Sequence, residues 1–306
     1  MTIIKQRTYS NLYKGLTILD KRMNLDHESK GTLINLKKGY EGEYRFDSLV
    51  GTHLHPDLLI LNDLLIKHNG STRQIDSLII SSNKIFINEI KHYSGTYKWS
   101  NDLILTLSGV EIEDPTLQLK RASQLVRKIL KHINSHLTVE ANIVYSHERF
   151  YLYNDQPTSP FIYTTHVKDY LKRINQSYKG LTTHHQSVAN TFMNKVIEET
   201  PYQKQLPAYH YDQLKKGLSC PHCQGIHTIQ TQRQSICQEC SHVSEIAQTI
   251  LHTIQHFNLL FPEDKLTVSK IHNWCGETVH REAIKKVLNT SFTSIGTKRG
   301  TYYIQK

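Results

Sequence analysis

The stretch "RQIDSLIISSNKIFINEIK", residues 73–91, holds two β-rich runs, 74–80 and 85–91, split by Ser81, Ser82, Asn83 and Lys84. Branched apolar residues on either side of turn-forming ones are the signature of a hairpin. A turn centred between Ser82 and Asn83 sets Ile80 against Ile85 and Leu78 against Ile87, and it drops Asp76 directly opposite Glu89. Like charges placed opposite one another destabilise a sheet, and a divalent cation between them removes the penalty. Lys91, two residues beyond Glu89, shares its face of the strand. The alternative is that these charges decorate the wet side of a half-exposed antiparallel strand, and the hairpin alone leaves both readings open.

Working outward, "GYEGE" at 39–43, "QIDSLII" at 74–80, "INEIKHYSGTYKW" at 87–99 and "DPTLQ" at 114–118 occur in that order. Together they resemble the nuclease-related domain, NERD, of the PD-(D/E)XK nuclease superfamily. Asp76 followed by Glu89-Ile90-Lys91 is similar to the superfamily's D…ExK signature, with Ile75 where its name has proline. The resemblance implies a restriction-endonuclease-like α/β fold, a mixed sheet flanked by helices. It also implies a catalytic Mg²⁺ or Mn²⁺ held by the hard oxygens of Asp76, Glu89 and the Ile90 carbonyl, with Lys91 orienting or helping to deprotonate the attacking water. Glu43 would add a ligand or a supporting contact, and Gln118 would face the catalytic strand. By residue type alone, Glu43 also reads as a surface helix carboxylate, with Glu41 close by, and Gln118 as a glutamine bonding nearby backbone.

The segment "EDPTLQLKRASQLVRKILKHI" has Asp114 as helix N-cap and Pro115 at the first helical position. Ala122, Leu125, Val126, Ile129, Leu130 and Ile133 recur at helical spacing, so this helix should lie on the sheet. Its Lys120, Arg121, Arg127, Lys128 and Lys131 form either a DNA-facing surface or an ordinary solvated face.

The whole chain has 306 residues, enough for two or three domains, and carries 37 Lys and Arg against 27 Asp and Glu, a net charge of +10. Such a surplus favours a polyanionic partner, with DNA the leading choice. The residues say nothing of protein partners. No run approaches the roughly 18 apolar residues of a membrane span, and the N-terminus lacks a signal-peptide core, so a cytoplasmic protein without a membrane partner is expected.

In that reducing setting, Cys220, Cys223, Cys237 and Cys240 form two C-x-x-C pairs separated by thirteen residues. Four soft thiolates on two tight turns select structural Zn²⁺ in a zinc ribbon. The nearby His222, His227 and His242 are spare, and lone Cys275 beside Trp274 reads as a core thiol.

The expected organisation is a lead-in at 1–35, a nuclease-like domain at 36–199, a linker at 200–216, a zinc ribbon at 217–245 and a winged helix-turn-helix-like domain at 246–306. In the last, helices are expected at 246–260, within "TVSKIHNWC", and at 278–289, followed by a basic hairpin. Val279, Ala283, Val287 and Leu288 should be buried. Arg281, Lys285 and Lys286 are left for a groove, and Lys298 and Arg299 for the wing. The functional expectation is metal-dependent hydrolysis of DNA phosphodiesters, with the zinc ribbon and winged helix as anchors. The competing class is a non-cleaving nucleic-acid-binding or transcription-regulatory protein on a nuclease-like fold.

Overall fold

A computed structural model describes residues 2–100, 103–154, 160–197 and 205–305, without the side chain of Arg299. Two compact units are present, Met1–Tyr9 with Asn35–Glu199, and Ser10–Ile34 with Thr200–Lys306. From the N-terminus, β1 (Thr2–Lys5) is followed by α1 (Asn11–Arg22) and α2 (His27–His53), and the division between the units falls within α2. Residues 10–34, read from the sequence as part of a lead-in, therefore group with the C-terminal residues.

The first unit continues through β2 (Leu59–His68), β3 (Ser71–Ile80), β4 (Lys84–Lys91), β5 (Gly95–Ser100), β6 (Leu103–Thr106) and β7 (Glu111–Ile112). Next come α3 (Pro115–His132), β8 (Thr138–Tyr145), β9 (Phe150–Tyr153), β10 (Phe161–Tyr163), α4 (Val167–Gln176) and α5 (Thr183–Met193). Six strands form a mixed sheet in the order β1-β2-β3-β4-β8-β10. The β2–β3 and β3–β4 pairs are antiparallel, and β4 runs parallel to β8. Ile80 faces Ile85 and Leu78 faces Ile87, the register expected from the turn at Ser82 and Asn83.

The sheet is covered on both sides. Leu78, Ile80, Ile85 and Ile87 join Leu125, Val126 and Ile129 of α3 and Phe192 of α5 in one core. Ile79, Phe86 and Ile90 join Phe46 and Val50 of α2 and Leu171 and Ile174 of α4 in another. Each such fully buried side chain contributes about 1.5–3 kcal/mol. The burial answers the question left open by the hairpin, since Asp76 is 5% exposed and Glu89 only 2%. They are not wet decoration.

The helix at Pro115 starts as its sequence implies, with Asp114 accepting from the Thr116 N–H at 2.8 Å. A second sheet, in the order β7-β6-β5-β9, had no counterpart in the sequence reading. Its strands are short, and β9 joins β5 in parallel from some fifty residues downstream, a pairing no local pattern announces.

The second unit adds β11 (Thr228–Gln230), β12 (Gln234–Cys237), β13 (Val243–Glu245), α6 (Ile246–Leu260), α7 (Val268–Trp274), α8 (Arg281–Ser291), β14 (Phe292–Ile295) and β15 (Tyr302–Gln305). The three helices pack on one another, β14 and β15 pair antiparallel, and Leu266 bridges to Tyr303. Helix α8 begins three residues later than expected because His280 is extended and caps it, so Thr278 and Val279 belong to the preceding turn. Its buried face is Ile284, Val287 and Leu288, while Ala283 is only half-buried.

Arg22, at the end of α1, is fully buried here. Its guanidinium donates to the carbonyls of Lys215 (2.7 Å) and Gly217 (3.1 Å) and to Ser219 Oγ (2.9 Å), and it lies 3.9 Å over the Trp274 ring. Removing it strands the buried Gly217 carbonyl, leaves Ser219 Oγ only His256 Nδ1 at 3.2 Å and empties the space over Trp274, so Arg22→Ala should destabilise this unit by about 3 kcal/mol, read as a lower denaturant midpoint. No helix among the described residues is long and apolar enough to cross a membrane.

Candidate active site and cysteine cluster

The β3–β4 ladder stops at Ser77 and Asn88, one step before Asp76 and Glu89. Beyond that point side chains replace the strand pairing. Asp76 Oδ2 accepts from the Ile90 N–H at 2.7 Å, and the Asp76 carbonyl accepts from Arg7 Nη2 at 2.7 Å. The sheet thus opens where the two carboxylates lie, and a backbone amide holds one of them in place.

Glu89 Oε1 is 2.8 Å from Lys91 Nζ, which also donates to Gln118 Oε1 at 3.1 Å. Four residues named from the sequence, Asp76, Glu89, Lys91 and Gln118, are therefore linked through direct contacts or through the backbone between them. Gln118 reaches Lys91 from the first turns of α3, whose start is set by Asp114 and Pro115. Burial pushes the Asp76 and Glu89 carboxyls upward, and for Glu89 the charge of Asp76 adds to the effect. For Lys91, burial favours loss of the proton, but the charge and hydrogen bond of Glu89 outweigh it and raise the ammonium above its ordinary value.

Glu43 enters the site through Arg7, which the sequence reading missed. Arg7 Nη1 lies 2.6 Å from Glu43 Oε2 and its Nε 2.9 Å from Asp47 Oδ2. This arginine joins the segment after β1 to two acids one helical turn apart on α2 and to the backbone of β3. Glu41, the competing choice for Glu43, points to solvent beside Lys37 at 3.9 Å. Among the described residues, the one group of three or more possible metal ligands within 4.8 Å of one another is the cysteine cluster. Glu43 is held by Arg7, the supporting contact among the two roles the sequence offered for it.

The donors fit a hard divalent cation. Glu43, Asp47, Asp63, Asp76, Glu89 and Glu113 face the cations Lys5, Arg7 and Lys91 at this site. Burial pushes Glu43, Asp47, Asp76 and Glu89 all toward the neutral form. A cation relieves that penalty.

The glycine of "GYEGE" has a steric reason. A Cβ on Gly42 would stand 2.4 Å from His92 Cβ, just past the end of β4, and that atom sits too near its own backbone to give way. The close approach sets the neighbouring Glu43 at its place. Gly42→Ala should cost about 1–3 kcal/mol by overpacking and lower any hydrolytic rate as Glu43 and Arg7 shift, which thermal melts and rate assays would register together.

In the second unit, Cys220 Sγ lies 3.8 Å from Cys240 Sγ, and Cys223 Sγ 3.5 Å from Cys237 Sγ. Zn–S bonds of about 2.3 Å in a tetrahedron require S···S separations of roughly 3.8 Å, so the four thiols match a closed metal site. The N–H groups of His222 and Glu239 donate to Cys220 and Cys237 at 3.4 Å each, stabilising thiolate on both turns. His222 and His242 stack on each other at 5.3 Å outside the cluster.

Arg281, Lys285 and Lys286 are exposed on α8, and Lys298 is exposed near the tip of the terminal hairpin. The Arg299 side chain lies outside the described atoms. Cys275 is fully buried, as a core thiol should be.

No curated protein matches the chain. The family model of the nuclease-related domain matches residues 38–146, a span that includes Glu43, Asp76, Glu89, Lys91 and Gln118 and excludes Arg7 and the cysteines. The region that builds the acidic site is thus similar to the nuclease-related domain.

Proposed function

We propose that the first unit is a metal-dependent phosphodiesterase that hydrolyses DNA. The observation that carries this reading is the Lys91 ammonium fixed between Glu89 and Gln118, with Asp76 bonded to the amide one residue before it. Asp76, Glu89 and the Ile90 carbonyl would hold Mg²⁺ or Mn²⁺, which lowers the pKa of a bound water and offsets charge on the phosphate. Lys91, held by Glu89 and Gln118, would act as a donor to the attacking water or a phosphate oxygen. Gln118 keeps that ammonium aimed, and Arg7 keeps Glu43 and Asp47 neutralised beside Asp76.

In the same reading the second unit holds DNA. The order α6, α7, turn, α8 and a terminal hairpin is that of a winged helix-turn-helix, with Arg281, Lys285 and Lys286 facing a groove, Lys298 and Arg299 on the wing, and a structural Zn²⁺ in the cysteine cluster. Its affinity should fall steeply with salt, and Lys285→Glu with Lys286→Glu should reduce the slope by about one to two, measured by anisotropy between 50 and 300 mM salt. A flat salt profile would remove the anchoring role. The central test is cleavage of labelled single- and double-stranded DNA and RNA with Mg²⁺ or Mn²⁺, repeated with EDTA. Binding without cleavage by the intact protein would replace the hydrolytic reading with that of a nucleic-acid-binding protein.

A further inference from the structure

The face of α2 that carries the acids also carries aromatic rings. Tyr40, Glu43, Tyr44 and Asp47 are spaced three and four residues apart, which puts them on one side of a helix. Tyr9, two residues after Arg7, lays its ring on Tyr40 with centroids 3.8 Å apart and planes 25° from parallel. Tyr44 continues the column at 6.3 Å and 16°. The Tyr40 phenol feels the charges of Arg7, Asp47 and Glu43, so the rings stand directly beside the acidic site. At its outer end Tyr44 is 63% exposed, and Tyr9 is 41% exposed.

A column of nearly parallel rings, open at one end, is not what a folded core requires. Tyr44 buries little of its surface, so packing gives it small reason to be aromatic. Flat rings set out toward solvent take flat ligands, and every nucleobase has such a face. In a duplex those faces are occupied by neighbouring base pairs, whereas an unpaired strand presents them. The acids at this place repel phosphate, so affinity here must come from the bases while cations handle the backbone.

We infer that Tyr9, Tyr40 and Tyr44 form a stacking platform that seats an unpaired base next to the acidic site, making a single-stranded stretch of nucleic acid the substrate class. The inference rests on the nuclease reading for the site's purpose, but binding alone tests it. The stack grips a base on one side, next to Arg7, Glu43 and Asp47. Duplex DNA can use the platform only where it is frayed, gapped or flapped.

The test is fluorescence anisotropy on the full chain without divalent metal, using a labelled single-stranded dT oligonucleotide, the same backbone with abasic sites, a single-stranded RNA of equal length, and a blunt duplex. Tyr44→Ala should weaken dT binding about 5- to 100-fold and Tyr44→Phe should restore most of it, because the ring and not the hydroxyl does the stacking. The abasic strand should bind wild type as weakly as dT binds Tyr44→Ala, and the variant should lose nothing further on it. Duplex affinity should stay within about twofold. Equal losses on the single strand and the duplex, or unchanged dT binding by Tyr44→Ala with a wild-type melting temperature, would overturn the platform. The RNA arm shows which sugar the platform accepts. A protein that cuts DNA while Tyr44→Ala binds and cuts the single strand like wild type keeps the nuclease reading and loses the platform, and one that binds dT through Tyr44 without cutting does the reverse.

Discussion

Lys91→Ala is expected to lower hydrolysis by about 10²–10³-fold while leaving divalent-metal affinity nearly unchanged, because the residue contributes a positioned donor and an ammonium cannot be a ligand. Asp76→Asn and Glu89→Gln should remove both. The amides are chosen because each retains an oxygen for its local bond, the first for the Ile90 N–H and the second for Lys91 Nζ, so the strand geometry survives. Titration calorimetry with Mn²⁺ and single-turnover cleavage separate the two effects.

The same series has a stability signature with a definite sign. Burial and the charge of Asp76 push Glu89 up to about 7 from an ordinary 4.5. Between those values the folded protein binds more protons than the unfolded chain, so stability falls as pH rises through the window and the cost is complete above it. In chelator-treated protein, Glu89→Gln should therefore be stabilising by on the order of 2 kcal/mol at pH 8 and nearly neutral at pH 4.5. Added Mn²⁺ should raise the melting temperature of wild type and Lys91→Ala but not of the other two. If all three variants cut like wild type, or each simply unfolds, the charges are structural pairs and the hydrolytic proposal fails.

What the sequence made legible here was local. The hairpin register follows from four turn-forming residues and the two-residue period of strands, and Asp114-Pro115 announces the start of α3 by capping chemistry. Ile246–Leu260 is helical over the span that its apolar spacing indicates. Arg7 was illegible for the opposite reason. Its partners lie 36, 40 and 69 residues away, and nothing in "IIKQRTY" distinguishes a buried clamp from a surface arginine. Gly42 could be quoted as part of a motif, yet its cause, the Cβ of His92 fifty residues on, appears only when the helix meets the strand. The grouping of residues 10–34 with the C-terminal unit is of the same kind, since Arg22 finds Lys215, Gly217 and Ser219 nearly two hundred residues later.

Purified protein is expected to contain about one zinc per chain, and removing it should unfold residues 217–245 without melting the helices that follow. The three-stranded sheet shows why. Ile229, Ile236 and Val243 lie side by side across β11, β12 and β13, yet they are 54%, 38% and 50% exposed, so the sheet has no apolar core on that face. The other side is tied by hydroxyls, with Ser235 Oγ 2.6 Å from Thr249 Oγ1 and Ser244 Oγ 2.8 Å from it, bonds of about 1 kcal/mol each. Arg22 and Thr253 tie only its first residues, Gly217 and Ser219, so for the rest of these roughly thirty residues metal–thiolate bonds would be the main source of free energy. The three-helix core has apolar packing of its own, built on fully buried Phe257, Trp274 and Leu288. Cys237→Ser or a strong chelator should therefore make 217–245 the first site of proteolysis, while helical circular dichroism stays largely intact. A zinc-free protein that still protects this segment, or one isolated under reducing conditions with these four cysteines paired as disulfides, would show that the cluster is held by something other than a metal ion.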